Sequence, residues 1–308
     1  MEQALSERQA ALRPADVDFC LDSLLSAPIK GVQQTMEFPF FCLTKKPRTT
    51  PLIYNDGMVK IEISPGADGM ATIWDKDVLI YCASLINERI ERGASVERRI
   101  IVPGHDILKV CQRGTGKHSY DLLLKALARL RGTTIKTNVL AGNERERSGF
   151  GWIDNYRVVE RLDSRGKTIM AGVEIWLNQW MFRAIVNERR VLSLDQAYFK
   201  LKMGLERRIY ELARKHCGRQ ARWDIGMPRL QEKCGTGNLL RNFKDDLKTI
   251  IERDSLPGYR MALLFDGNAE LVRGMKTDGY DIPPRWGGNN RIVVRFAPRA
   301  DVSKAVDM

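Results

Sequence analysis

A tripeptide that occurs twice, Gly114-Thr115-Gly116 and Gly235-Thr236-Gly237, constrains this chain more than any other feature. Each copy follows a short apolar segment containing a cysteine at its end, residues 108–111 and 230–234, and each precedes an amphipathic stretch. After the first, Leu123, Leu127 and Leu130 fall at the i, i+4, i+7 spacing of one buried helical stripe; after the second, Phe243, Leu247 and Ile250 repeat it. The order is helix, tight turn, helix. Both second helices run on into β-prone stretches, residues 133–138 and 259–265. Helix-turn-helix plus hairpin is the layout of a winged helix. The expected fold class is therefore α+β: two tandem winged-helix domains, helix-rich, with small antiparallel β-hairpin wings.

The charge balance points to the partner. Lys and Arg number 50 against 38 Asp and Glu, giving a formal charge of +12 and a pI of about 9.5. Such a field attracts polyanions, and two winged helices on a basic chain predict a reader of double-stranded DNA. A chain of 308 residues suits two domains of roughly 100–200 residues each. No stretch is apolar enough to span a membrane, and the first 15 residues scatter charge where a signal core would be apolar. The expectation is a cytoplasmic protein with no membrane contact.

Along the chain, residues 1–35 read as a polar N-terminal leader, 36–165 as the first winged-helix domain and 166–308 as the second. Residues 38–41 are apolar enough to anchor the chain, and Lys45, Lys46 and Arg48 form a basic loop. Asn55-Asp56-Gly57 joins two alternating segments as a hairpin. Residues 72–92 form a helix that buries Val78, Cys82, Leu85 and Ile86 and stops at Gly93. The first wing is read as the loop 141–149, between strands at 133–140 and 150–162; 163–167 is a turn, 168–175 a strand and 176–186 a helix. Residues 203–216 form a helix burying Leu205, Ile209, Leu212 and Ala213. Between Lys200 and Arg222 stand eight basic residues and two acids, a run that reads mostly as solvated surface. Residues 266–268 make the second wing and 291–296 a closing strand.

Catalytic motifs are not supported. The six cysteines and three histidines are scattered, without the close spacing of a zinc site. Gly114 to Ser119 suggests a phosphate loop, but Cys111 stands where the first Gly is required and His118 where the hydroxyl residue is required. A nickase would need paired histidines beside a tyrosine nucleophile. Asp75 and Asp77 could hold a metal as in polymerases, but both fall in the first turn of a helix, where negative charge suits the dipole. The chain reads as a binding protein with no enzymatic centre, no metal and no cofactor.

The candidate contacts follow from helix geometry, because the start of the second helix enters the major groove. In the first module Lys117, His118 and Ser119 lie nearest base edges, while Lys125 and Arg129 reach phosphates, with Arg145 and Arg147 on the wing loop. In the second, the outward set is Asn238, Arg241, Asn242 and Lys248, flanked by Lys244. This set suits direct readout better, since Arg bonds guanine bidentately and Asn does the same for adenine.

Four blocks of sequence carry a resemblance: FFCLTKKP (40–47), GMATIWDKDVLIY (69–81), LARLRGTTIKTN (127–138) and LERRIYELARKHCG (205–218). Long and order-preserving, they resemble the replication initiator protein A family of bacterial plasmids. The resemblance implies an initiator that binds repeats at a plasmid origin, opens adjacent A·T-rich DNA and recruits the host replication initiator and the replicative helicase. Initiators of similar architecture exchange between homodimers and DNA-binding monomers, with the first winged helix as dimer surface. A sequence-specific transcriptional repressor on the same scaffold is the alternative expectation.

Overall fold

In the computed structural model the described residues are 24–25, 28–139, 149–162, 168–265, 268–272 and 292–299. The chain divides into two compact units, Met1–Val32 with Thr44–Val191 and Gln33–Leu43 with Leu192–Met308. Its first described strand is β1 (Ile29–Val32), followed by the short α1 (Gln33–Glu37), which belongs to the second unit although it precedes most of the first.

The first unit continues with β2 (Leu52–Asn55) and β3 (Lys60–Ser64), joined by the expected turn with Gly57 at φ +91°. Next comes α2 (Lys76–Glu91), in which Val78, Cys82, Leu85 and Ile86 are all buried, and Gly93 ends it at φ +73°. This helix starts later than its apolar pattern suggests because Thr72 and Asp75 exchange backbone-to-side-chain hydrogen bonds that fix the preceding turn. Then follow β4 (Arg99–Val102), α3 (Gly104–Val110), α4 (Lys117–Gly132), β5 (Thr134–Thr137), β6 (Gly149–Phe150), β7 (Ile153–Leu162), β8 (Thr168–Leu177) and α5 (Gln179–Val186).

Two sheets result, in the orders β2-β3-β5-β6 and β4-β8-β7. The second corrects the expected wing. Residues 133–140 and 150–162 do not form one hairpin; among the described residues they pair only at Ile135 with Phe150 and Lys136 with Gly149. Gly151 is the reason: a Cβ there would lie 2.8 Å from the Arg131 carbonyl oxygen, so only glycine lets the chain bend tightly against the end of α4. The following strand thereby leaves one sheet for the other, where it pairs with β8 from Ile153↔Leu177 to Leu162↔Thr168. The wing of this unit is the β7–β8 hairpin. Its tip, 163–167, and most of the loop 141–149 lie outside the described residues.

The expected domain boundary moves with it. β8 is the middle strand of the first unit's sheet, hydrogen-bonded to both β4 and β7, so the chain cannot be divided at residue 165. The division falls after Val191. Trp176, expected in a helix, is the last strand residue but one, and α5 begins at Gln179 with Asn178 capping it.

After β9 (Val191–Leu194) and a 3-10 turn at Gln196–Lys200 come α6 (Gly204–His216), β10 (Trp223–Gly226), α7 (Met227–Cys234), α8 (Leu240–Arg253), β11 (Tyr259–Phe265), β12 (Asn268–Val272) and β13 (Ile292–Pro298). The sheet order is β10-β13-β11-β12. In each unit, then, helix, strand, helix, turn, helix and hairpin follow in that order, and the strand between the first two helices pairs with the last strand of the unit. The fold is two tandem winged helices. Residues 266–267 of the second expected wing lie outside the described residues, while β11 and β12 on either side pair antiparallel.

Both stripes read from the sequence are core. Leu123, Leu127 and Leu130 on α4 and Phe243, Leu247 and Ile250 on α8 are at most 2% exposed. Each such side chain stabilises the fold by about 1.5–3 kcal/mol. Among the described residues no helix is long and apolar enough to cross a membrane.

Candidate nucleic-acid interface

In the second unit α7 ends at Cys234, and Gly235 takes the left-handed conformation, φ +69°, that reverses the chain. The turn is then locked internally. Asn238 donates its backbone N–H to the Thr236 hydroxyl at 3.2 Å, and its carbonyl accepts from the Gln231 side chain at 2.9 Å. α8 starts with Leu239, 61% exposed, at its cap position and no side chain capping the first turn, so its amides remain available to an anion.

Arg241 and Asn242 stand exposed just before buried Phe243. The stripe turns one face of α8 inward, and these two side chains occupy the other. Lys244 and Lys248 are half-buried along the helix. Asn238 is engaged within the protein, where its side chain hydrogen-bonds Asp246. Burial and then neighbouring Asp245 raise the Asp246 pKa, and the Asn238 bond partly offsets them.

In the first unit the turn is built differently. α3 ends at Val110, and the left-handed residue is Gln112, φ +51°, ahead of Gly114. The two Gly-Thr-Gly motifs are thus not equivalent positions of the two turns. Lys117, His118 and Lys125 are exposed on α4 and Ser119 is half-buried, but Gly116 again offers no capping side chain. Aligned on the buried stripes, the positions of Arg241 and Asn242 are held here by Asp121 and Leu122, both exposed.

Arg129, expected to reach a phosphate, is engaged within the protein. Its Nε and Nη2 donate to the two carboxylate oxygens of Asp75, each at 2.7 Å, in a pair whose side chains are 13% and 3% exposed. These hydrogen bonds to Asp75 push the guanidinium pKa further up, against its partial burial. Arg113, for which the sequence carries no distinguishing signal, donates to Asp77 at 2.8 Å and to the Trp74 carbonyl at 2.6 Å. Burial pulls the Arg113 pKa down and the Asp77 carboxylate more than reverses it. Asp75 and Asp77 therefore hold two arginines, which ties α4 and the turn before it to the start of α2. Among the described residues no cluster of three or more His, Cys, Asp or Glu side chains could hold a metal ion.

Arg145 and Arg147 lie outside the described residues. On the β7–β8 wing, Arg161 is exposed close to the tip and Arg157 pairs with buried Glu174, which also binds Arg99 at 3.2 Å. The signal for this wing is the pair of β-prone runs either side of 163–167, which the expected boundary at residue 165 divides between two domains.

Comparison with known proteins places this geometry in a family. The chain is similar to solved structures of domains 2 and 3 of RctB: one at a TM-score of 0.57 and 13% identity, covering 84% of this chain and 94% of that one, and another at 0.51 and 12%, covering 85% and 96%. At that identity the likeness is one of fold. A protein of Wigglesworthia glossinidia brevipalpis, described provisionally as a replication protein, is 36% identical over 245 residues, 79% of this chain and 88% of the relative. The family pattern for Replication initiator protein A matches residues 30–261, so the tandem winged helices, the basic charge and the sequence agree: this chain belongs to the replication initiator protein A family of plasmid initiators.

Proposed function

We propose that the chain binds duplex repeats at a plasmid replication origin, reads them chiefly through α8, promotes opening of adjacent A·T-rich DNA and recruits the host initiator and helicase. The observation that carries this reading is the exposed Arg241-Asn242 pair on the helix after the second turn, the two residue types whose side chains bond guanine and adenine bidentately in the major groove. The formal charge of +12 supplies the sequence-independent attraction to phosphate. The work is binding, with no catalytic centre and no cofactor, in the cytoplasm, and the chain forms homodimers.

Supplying the chain in trans to a plasmid that carries only its candidate origin tests the proposal. Replication that depends on the chain, with footprints over repeats in that origin, is the expected result. Footprints without replication would leave a repressor in its place, and metal-dependent nicking or primer synthesis by the purified chain would overturn the non-catalytic reading.

A further inference from the structure

The segment Gln33–Leu43 precedes nearly all of the first unit, yet it is built into the second. Arg208, in the middle of α6 and 2% exposed, is the centre of the joint. Its Nη1 donates to the Met36 carbonyl at 2.6 Å, and its Nη2 donates to the carbonyls of Glu37 at 2.9 Å and Lys233 at 2.7 Å. Its Nε donates again to Lys233 at 3.1 Å, and Glu211 balances the charge at 3.3 Å. Met36 and Glu37 end α1, and Lys233 is the last residue but one of α7. Carbonyls at helix C-termini lack partners within their helix and carry partial negative charge. One planar five-donor cation therefore closes two helix ends at once.

Two further contacts hold the same segment. The Lys233 ammonium lies 3.4 Å from Glu37 and 5.7 Å from the centre of the Phe38 ring. At the far end a Cβ on Gly204 would lie 2.0 Å from the Leu43 carbonyl oxygen, so the strap passes α6 where only glycine fits. The end of α7 held in this way leads directly through Gly235 into the turn that sets the position of α8.

We propose that the strap Gln33–Leu43, clamped by Arg208, positions the reading helix of the second unit, which makes Arg208 a positioning residue for base recognition. The proposal rests on the reading of α8 as the base-contacting helix. Bidentate base contacts weaken steeply with misplacement, whereas contacts between flexible cations and phosphates tolerate it. Releasing the strap should therefore cost specificity before it costs affinity for DNA in general.

The test uses the full chain with Arg208→Lys, Gly204→Ala or the milder Glu37→Gln, at a temperature where circular dichroism shows each variant folded. The probes are a duplex selected by the wild-type protein from a randomised pool and a shuffled duplex of the same composition. The ratio of the two affinities should fall about tenfold for Arg208→Lys and Gly204→Ala, and a few-fold for Glu37→Gln, while affinity for the shuffled duplex stays within about twofold. Should Arg208→Lys fail to fold, the other two variants decide. An unchanged ratio, or an equal loss on both duplexes, overturns the positioning role. If Arg241→Ala also leaves the ratio unchanged, it is the reading of α8 that has failed; if Arg241→Ala lowers the ratio while the strap variants do not, the clamp alone has failed.

Discussion

The two turn-helix pairs share a topology and differ in how they are anchored and in what they present. In the first unit arginines of the turn and of α4 reach back to two carboxylates at the start of α2. In the second an arginine of α6 donates to the carbonyls that end α7 and α1. At matched positions α4 shows Asp121 and Leu122 where α8 shows Arg241 and Asn242. A carboxylate beside phosphate is repelled and an exposed leucine reads no hydrogen-bond pattern. One scaffold thus carries two surfaces, and the proposed base readout belongs to the second.

The largest expected effect tests the anchoring. Asp75→Ala leaves the Arg129 guanidinium uncompensated in a mostly buried setting and should destabilise the first unit by about 3–5 kcal/mol, whereas Asp75→Leu with Arg129→Leu should be much closer to neutral. Denaturant titrations followed by circular dichroism measure both. A loss below about 1 kcal/mol for the single change would show that the pair does not hold α4 in place.

The second expectation concerns pH and the second unit. His216, stacked on Trp223 at 4.7 Å, has its pKa pulled from 6.5 down to about 4, by burial first and by Lys233 next. The folded state keeps the ring neutral while the unfolded state takes up a proton below 6.5, so its contribution is present above pH 6.5 and is lost as pH falls toward 4. The shift corresponds to about 3 kcal/mol at full protonation. Glu37 adds to the loss at lower pH. Burial raises its pKa, but Lys233 and Lys215, joined by His216 once that ring is protonated, hold it below 4.5, so the stability it supplies disappears as pH falls through that lowered value. Melting temperatures across this range should drop with acid, and His216→Phe should flatten the slope above pH 4; an unaltered slope would rule this histidine out.

The base-reading contrast is expected at about 1–3 kcal/mol. Arg241→Ala should weaken specific binding by that much and relax discrimination at one or two base pairs, while Asp121→Ala at the matched position should leave the ranking of sites unchanged and bind all DNA slightly more tightly. Binding to a panel of single-base variants measures this. If Asp121→Ala changes the ranking, α4 reads bases too and the asymmetry between the helices collapses.

Smallest is Lys125→Ala, which removes an exposed cation of α4 that the proposed reading sets against phosphate. It should weaken every duplex alike and reduce the slope of log affinity against log salt by about 1. An unchanged slope would remove the first unit's helix from the DNA.

The helices were legible because an apolar stripe at period 3.6 must face a core whatever surrounds it. Leu123 to Leu130 and Phe243 to Ile250 behave alike in sequence and in structure. The strands were legible as strands, but not by sheet. The run 150–162 looks continuous, and the bend at Gly151 that sends its two parts into different sheets depends on a carbonyl of α4 that the local sequence does not reveal. The basic run at 200–222 is solvated at Lys200, Lys202, Arg219 and Arg222, as expected, but Arg207 and Arg208 are buried: Arg207 donates to the nearby carbonyls of Phe199 and Leu201, and Arg208 to those of Met36, Glu37 and Lys233, which the local sequence does not reveal.

By itself the sequence determined the repeated helix-turn-helix plan, the family, and the polyanionic partner that a charge of +12 selects. These rest on local periodicity, on order-preserved motifs and on summed charge, none of which needs distant contacts. The tertiary structure decided which arginines are spent within the protein and which face outward. Arg129 and Arg241 are both outward candidates in sequence, but a guanidinium takes whichever acceptor lies within reach, and only folding brings Asp75 to the one and leaves the other exposed.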